Sequence, residues 1–72
     1  MIIKRFKLQR KDIALVQFLI EGYEGLATVT TIDSRQAAIQ ISIMPDFVQE
    51  VTGIINNLGE KFKIKEIADL NP

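Results

Sequence analysis

The stretch "EGYEGLATVTTID", residues 21–33, decides how this chain is read, because it joins a strongly apolar segment to a neutral, β-branched one through two glycines. Gly22 or Gly25 can take the left-handed conformation that ends a helix, and the "LATVTTI" that follows has the composition of a strand. The stretch is expected to be a helix terminus handing over to a strand. Tyr23 within it is also a candidate lid or stacking surface for a ligand, although capping glycines are far commoner than binding loops.

Upstream, "IALVQFLI" carries Gln17 and Glu21 on one narrow polar strip at 100° per residue, while Ile13, Leu15, Val16, Phe18, Leu19 and Ile20 cover most of the remaining circumference. This is a helix with more apolar surface than one sheet covers. Asp12 before it is expected to be the N-cap. Still earlier, Phe6 and Leu8 alternate with Arg5 and Lys7 over residues 2–8, the period of a strand with one buried face.

Downstream, Asp33 and Ser34 of "DSRQ" supply turn chemistry, and in "AAIQISIM" Ile39, Ile41 and Ile43 alternate with Ala38, Gln40 and Ser42. The two strands therefore read as a hairpin. In "PDFVQEVTGIINNLG", Phe47, Val48, Val51, Ile54, Ile55 and Leu58 follow helical spacing. Asp46 with Gln49 resembles a capping box, and Gly59 is expected to stop the helix. In "KFKIKEI", Phe62 and Ile64 alternate with Lys61, Lys63 and Lys65 as a last strand before the "ADLNP" tail.

The order is βαββαβ, two βαβ-like halves joined by a hairpin. It predicts an α+β ferredoxin-like sandwich forming a single domain over residues 1–72. Right-handed crossovers set its four-stranded antiparallel sheet in the order 4-1-3-2, with two helices on one face.

Composition bounds what such a domain does. A chain of 72 residues buries only about 60% of the surface its unfolded form exposes. It has no cysteine or histidine for disulfides, zinc, thiol catalysis or the usual triads. No glycine-rich phosphate loop or calcium-loop spacing is present, so no cofactor is expected and the protein reads as non-enzymatic. Asp33, Ser34 and Arg35 are better explained as a hairpin tip than as a catalytic set. With 47% hydrophobic residues, oligomerisation is the staple that remains. "MIIKRFKLQRKD" lacks the apolar region of a secretory signal, and "IALVQFLI" is too short to span a bilayer, so a cytoplasmic protein without membrane contact is expected.

In the expected sheet the second strand is an edge without charge or proline, lying beside the over-apolar first helix. A homodimer is predicted there, with Leu15, Phe18, Thr28, Val29 and Thr30 at the interface. On the sheet's open face, Arg5, Lys7, Lys61, Lys63 and Lys65 are expected to project together. That basic face supports the alternative reading, a small RNA- or protein-binding adaptor, although lysines of this kind are ordinarily just solvated.

In element order, size and pattern, residues 2–67 resemble the ACT-like regulatory domains. The resemblance implies a small-molecule effector, such as an amino acid, bound at a domain interface near the turn from the first strand into the first helix. Carried onto this chain, the implied ligand-binding residues are Gln9, Arg10, Lys11 and Asp12 of that turn, to which the reading of the glycine turn adds Tyr23; no glycine accompanies Asp12 in "QRKDIALV". The chain also resembles a family of short uncharacterised bacterial proteins sharing an "EGY" turn. The RNA-recognition motif has the same fold but stacks bases on aromatics of the first and third strands. Arg5, Lys7, Ala38, Gln40 and Ser42 hold those places here, so nucleic acid is not expected as a partner.

Overall fold

The computed structural model describes residues 1–23 and 25–68; Glu24 and most of the expected tail, residues 69–72, lie outside the described residues. Strands β1 (Ile2–Lys7), β2 (Ala27–Asp33), β3 (Ala38–Ile43) and β4 (Lys65–Ile67) and helices α1 (Ile13–Glu21) and α2 (Val48–Lys61) follow one another as βαββαβ. They form one antiparallel sheet in the order β2-β3-β1-β4, the predicted order read from the other edge, and the α+β arrangement is that of a ferredoxin-like fold.

The alternation in β3 explains why this strand is central. Ile39, Ile41 and Ile43 are fully buried, and the register sets them opposite Phe6, Lys4 and Ile2 of β1 and Thr31, Val29 and Ala27 of β2. Val16 and Ile20 of α1 and Val51 and Ile55 of α2 complete this core, each pair one helical turn apart. Leu8 is buried with it, and Phe62, Ile64 and Leu58 pack against it partly covered. The opposite sheet face carries Thr28 and Thr30 of β2, Ala38, Gln40 and Ser42 of β3, Ile3, Arg5 and Lys7 of β1, and Lys65 and Ile67 of β4.

Several local signals resolve differently. Asp12 makes no capping hydrogen bond, because it closes a single 3-10 turn, Arg10–Asp12, in which its own N–H donates to the Gln9 carbonyl at 2.9 Å. Its φ of −100° and ψ of −6° leave the extended region from which a cap side chain reaches back to the helix. Asp46 likewise sits in the 3-10 turn Pro45–Phe47 and caps nothing. Gly59 does not end α2, which continues to Lys61, a cation placed favourably at the negative helix end. Gly22 follows α1 in a right-handed conformation with φ −72°, and the left-handed residue is Gly25 at φ 70°. Gly25 belongs to the turn closed by the Leu26 N–H on the Tyr23 carbonyl at 3.1 Å, where only a residue free of a Cβ sits without strain.

The last strand is shorter than its alternation suggests. The Ile64 N–H donates to the Phe62 carbonyl at 2.7 Å, a three-residue turn with Lys63 at its apex, so strand pairing begins only at Lys65. The expected five-residue basic face is therefore reduced. Lys61 is helical, Lys63 lies in the turn, and Arg5, Lys7 and Lys65 are the basic residues on the strands' open side. The Asp33 prediction holds in detail: its carboxylate accepts from the N–H groups of Arg35 and Gln36 at 2.9 and 3.2 Å and from the Gln36 side chain at 3.1 Å.

Candidate functional site

Helix α1 has two apolar faces. Val16 and Ile20 point into the core, and Leu15, Phe18 and Gly22, spaced i, i+3 and i+7, form a second stripe facing outward. Phe18 is 72% exposed, Leu15 48% and Tyr23 52%. An aromatic this exposed beside other apolar residues departs from ordinary surface composition, in which single exposed apolar residues are common but contiguous patches are not. Phe18, Leu19, Gly22 and Tyr23 line an open concavity of about 300 Å³ at the C-terminal end of the helix. Gly22 has little room for a side chain, since a Cβ there would stand 3.1 Å from the Phe18 carbonyl oxygen.

The polar strip of α1 has a structural use that no spacing rule discloses. The Glu21 carboxylate accepts a hydrogen bond at 2.9 Å from the Val29 N–H of the edge strand β2. Since this N–H points away from β3, the alternation of an antiparallel strand places the backbone groups of Ala27, Val29 and Thr31 along the outer edge. The neutral edge is thus occupied at its middle by a charged side chain, a device that discourages strand addition. Replacing Glu21 with Ala should accelerate amide hydrogen exchange at Val29 and lower stability by about 1 kcal/mol. Unchanged exchange at that amide would show that the bond is not maintained in solution.

The predicted interface residues separate by role. Leu15 and Phe18 are exposed on α1, Thr28 and Thr30 are exposed on β2, and Val29 turns its side chain into the protomer's own core, offering only backbone at the edge. The predicted ligand residues also separate. Gln9, Arg10, Lys11 and Asp12 enter α1 and Tyr23 follows it, so at 1.5 Å per residue the two ends lie roughly 15 Å apart and do not meet within one protomer. Among the described residues no three acidic groups converge as a metal site, and no helix is long and apolar enough to cross a membrane.

On the open sheet face, the Arg5 Nε donates to the Gln40 Oε1 at 3.1 Å, fixing the guanidinium across β1 and β3. Lys4, one residue earlier, lies on the helix side and forms an ion pair with Glu66 at 3.7 Å, a contact the sequence alternation did not reveal.

No curated protein and no solved structure matches the chain. A family model described as "Domain of unknown function (DUF4911)" matches residues 6–61, which takes in β1 from Phe6, the α1 stripe, the hairpin and the whole of α2. With well over half its length in that match, the chain belongs to the DUF4911 family of domains of unknown function.

Proposed function

We propose that the protein is a non-enzymatic homodimeric domain of ACT-like, regulatory type, acting in the cytoplasm, in which two α1 helices meet and a small effector is held at their junction. The observation that carries this reading is the second apolar stripe of α1, with Phe18 at 72% exposure. From Ile13 to Ile20 the helix bears no charge, so the stripe is complementary to a second copy of itself. A small domain gains most from covering such a surface.

The Glu21 carboxylate on the edge of β2 favours contact through the helices over a continuous intermolecular sheet. Thr28 and Thr30 then lie at the margin of the junction. If the two helices pair antiparallel about a two-fold axis, Tyr23 of each copy is carried toward the Gln9–Asp12 turn of the other. Assembly thus unites the effector residues that a single protomer keeps apart. The concavity beside Tyr23, at about 300 Å³, is of the size that accepts a small metabolite.

A thermal-shift screen with free amino acids tests the effector. A specific ligand at about 100 times its dissociation constant adds about 2.7 kcal/mol, which in a domain this small raises Tm by about 10 °C or more. The shift should disappear in Tyr23→Ala. Uniform small shifts across the set, or a full shift retained in Tyr23→Ala, would remove the effector from the proposal.

A further inference from the structure

The open face of the sheet, opposite the helices, gathers Arg5, Lys7 and Lys65 from β1 and β4. Lys7 and Lys65 are direct cross-strand partners, and Arg5 lies two residues from Lys7 on the same side. Side chains so paired have Cβ atoms about 5 Å apart, where like charges are unfavourable. The described carboxylates are placed elsewhere. Glu21 holds the β2 edge, Asp33 is bonded within the hairpin turn, Glu66 meets Lys4 on the helix side, and Asp12, Asp46, Glu50 and Glu60 belong to the helices and their leading turns. Among the described residues the Lys4–Glu66 contact is the one ion pair. Among the described residues, a chain of zero net charge thus gathers cations without carboxylates on one sheet face.

We propose that this face is a docking surface for an acidic protein segment. The Gln40 carboxamide holds Arg5 through its Nε, and among the described residues the terminal guanidinium nitrogens have no partner, which suits a two-pronged bond to a carboxylate. Lys7 and Lys65 supply adjoining point charges, and a bound carboxylate relieves their mutual repulsion. A second copy does not fit here, since two such faces repel one another. RNA fits less well than an acidic segment. The described open-face positions hold no aromatic on which a base could stack, and a site built from three cations engages few phosphates compared with the six to ten typical of strong polyanion binders. Ile67, the cross-strand partner of Arg5, and the exposed Ile3 lie on the same face and offer apolar contact beside the charges. The surface lies on the other side of the sheet from α1 and does not depend on dimer formation.

The probe is fluorescein-labelled poly-L-glutamate of about 20 residues, titrated with the full chain at low salt and followed by anisotropy. Wild type should bind, with affinity falling steeply as salt rises. The double variant Lys7→Glu, Lys65→Glu should bind at least tenfold more weakly while keeping its melting transition. The double variant Arg35→Glu, Lys61→Glu makes the same change in net charge at the hairpin tip and the end of α2, away from this face. It should stay within about twofold of wild type. Absence of binding by wild type, equal losses in the two double variants, or tighter binding of a 20-nucleotide polyuridylate than of the peptide would each overturn the proposal.

Discussion

Ile41→Ala is expected to cost the protein a large share of its stability and to lower its urea midpoint well below that of wild type. Ile41 sits in the central strand with none of its side chain exposed, between Lys4 of β1 and Val29 of β2 in register, and in one buried cluster with Val16 and Ile20 of α1 and Val51 and Ile55 of α2. Neighbouring strands fix the backbone on either side, so the space left by the lost methyl and methylene groups cannot readily collapse. Truncations of this kind cost about 2 to 5 kcal/mol. At about 0.05 to 0.15 kcal/mol per residue, the whole domain is stable by only about 4 to 11 kcal/mol. A urea titration followed by circular dichroism reads the effect directly, and a midpoint matching wild type would show that β3 is not the centre of the core. Leu58→Ala, at the half-covered end of α2, should cost less.

What could be read from the sequence follows from what is periodic. Ile39, Ile41 and Ile43 repeat every second residue and Val51 and Ile55 every turn, so a buried face reveals its element and its orientation together. Sheet order then followed from connection rules. Devices at the ends of elements were less legible, because they depend on a few dihedral angles. Asp12 and Asp46 have the chemistry of caps but fall inside 3-10 turns, and Gly59 has the chemistry of a stop but is carried through as helix. Lys61 and Lys63 illustrate the consequence for function: the continuation of α2 to Lys61 and one tight turn at Phe62–Ile64 each remove a lysine from a face that alternation had assembled.

The candidate site divides in the same way. The excess apolar surface of α1 was visible as a helix with too little polar circumference, and it appears as exposed Leu15 and Phe18. The bond from Val29 to Glu21 was not visible, since it joins a helix to a strand across a turn. Its one trace in the sequence is a carboxylate on the narrow polar strip of an otherwise apolar helix. That bond changes the reading of the edge from an open row of backbone groups to one interrupted at its middle.

Phe18→Glu is expected to abolish self-association while leaving the fold in place. The residue contributes little to its own protomer's core, being 72% exposed, so a charge there is solvated in the monomer. Surface substitutions of this kind ordinarily change stability by no more than about 0.5 kcal/mol. Across a two-fold axis the same charge is brought toward its own copy and into apolar surroundings, where an unpaired carboxylate is strongly disfavoured. A shift in the dimer dissociation constant of at least a hundredfold corresponds to about 2.7 kcal/mol, within reach of one buried, unpaired charge. The circular dichroism spectrum should be retained. Loss of the spectrum together with association would mean that Phe18 serves the protomer's own core.

The most direct measurement is sedimentation equilibrium of the wild-type chain from about 1 to 100 μM, the range in which a specific small dimer forms. At the upper end of that range the mass should be twice 8.1 kDa, with Phe18→Glu remaining at the single-chain mass throughout. A wild-type chain that stays monomeric across the whole range would contradict the pairing of α1 helices, and with it the effector site at their junction.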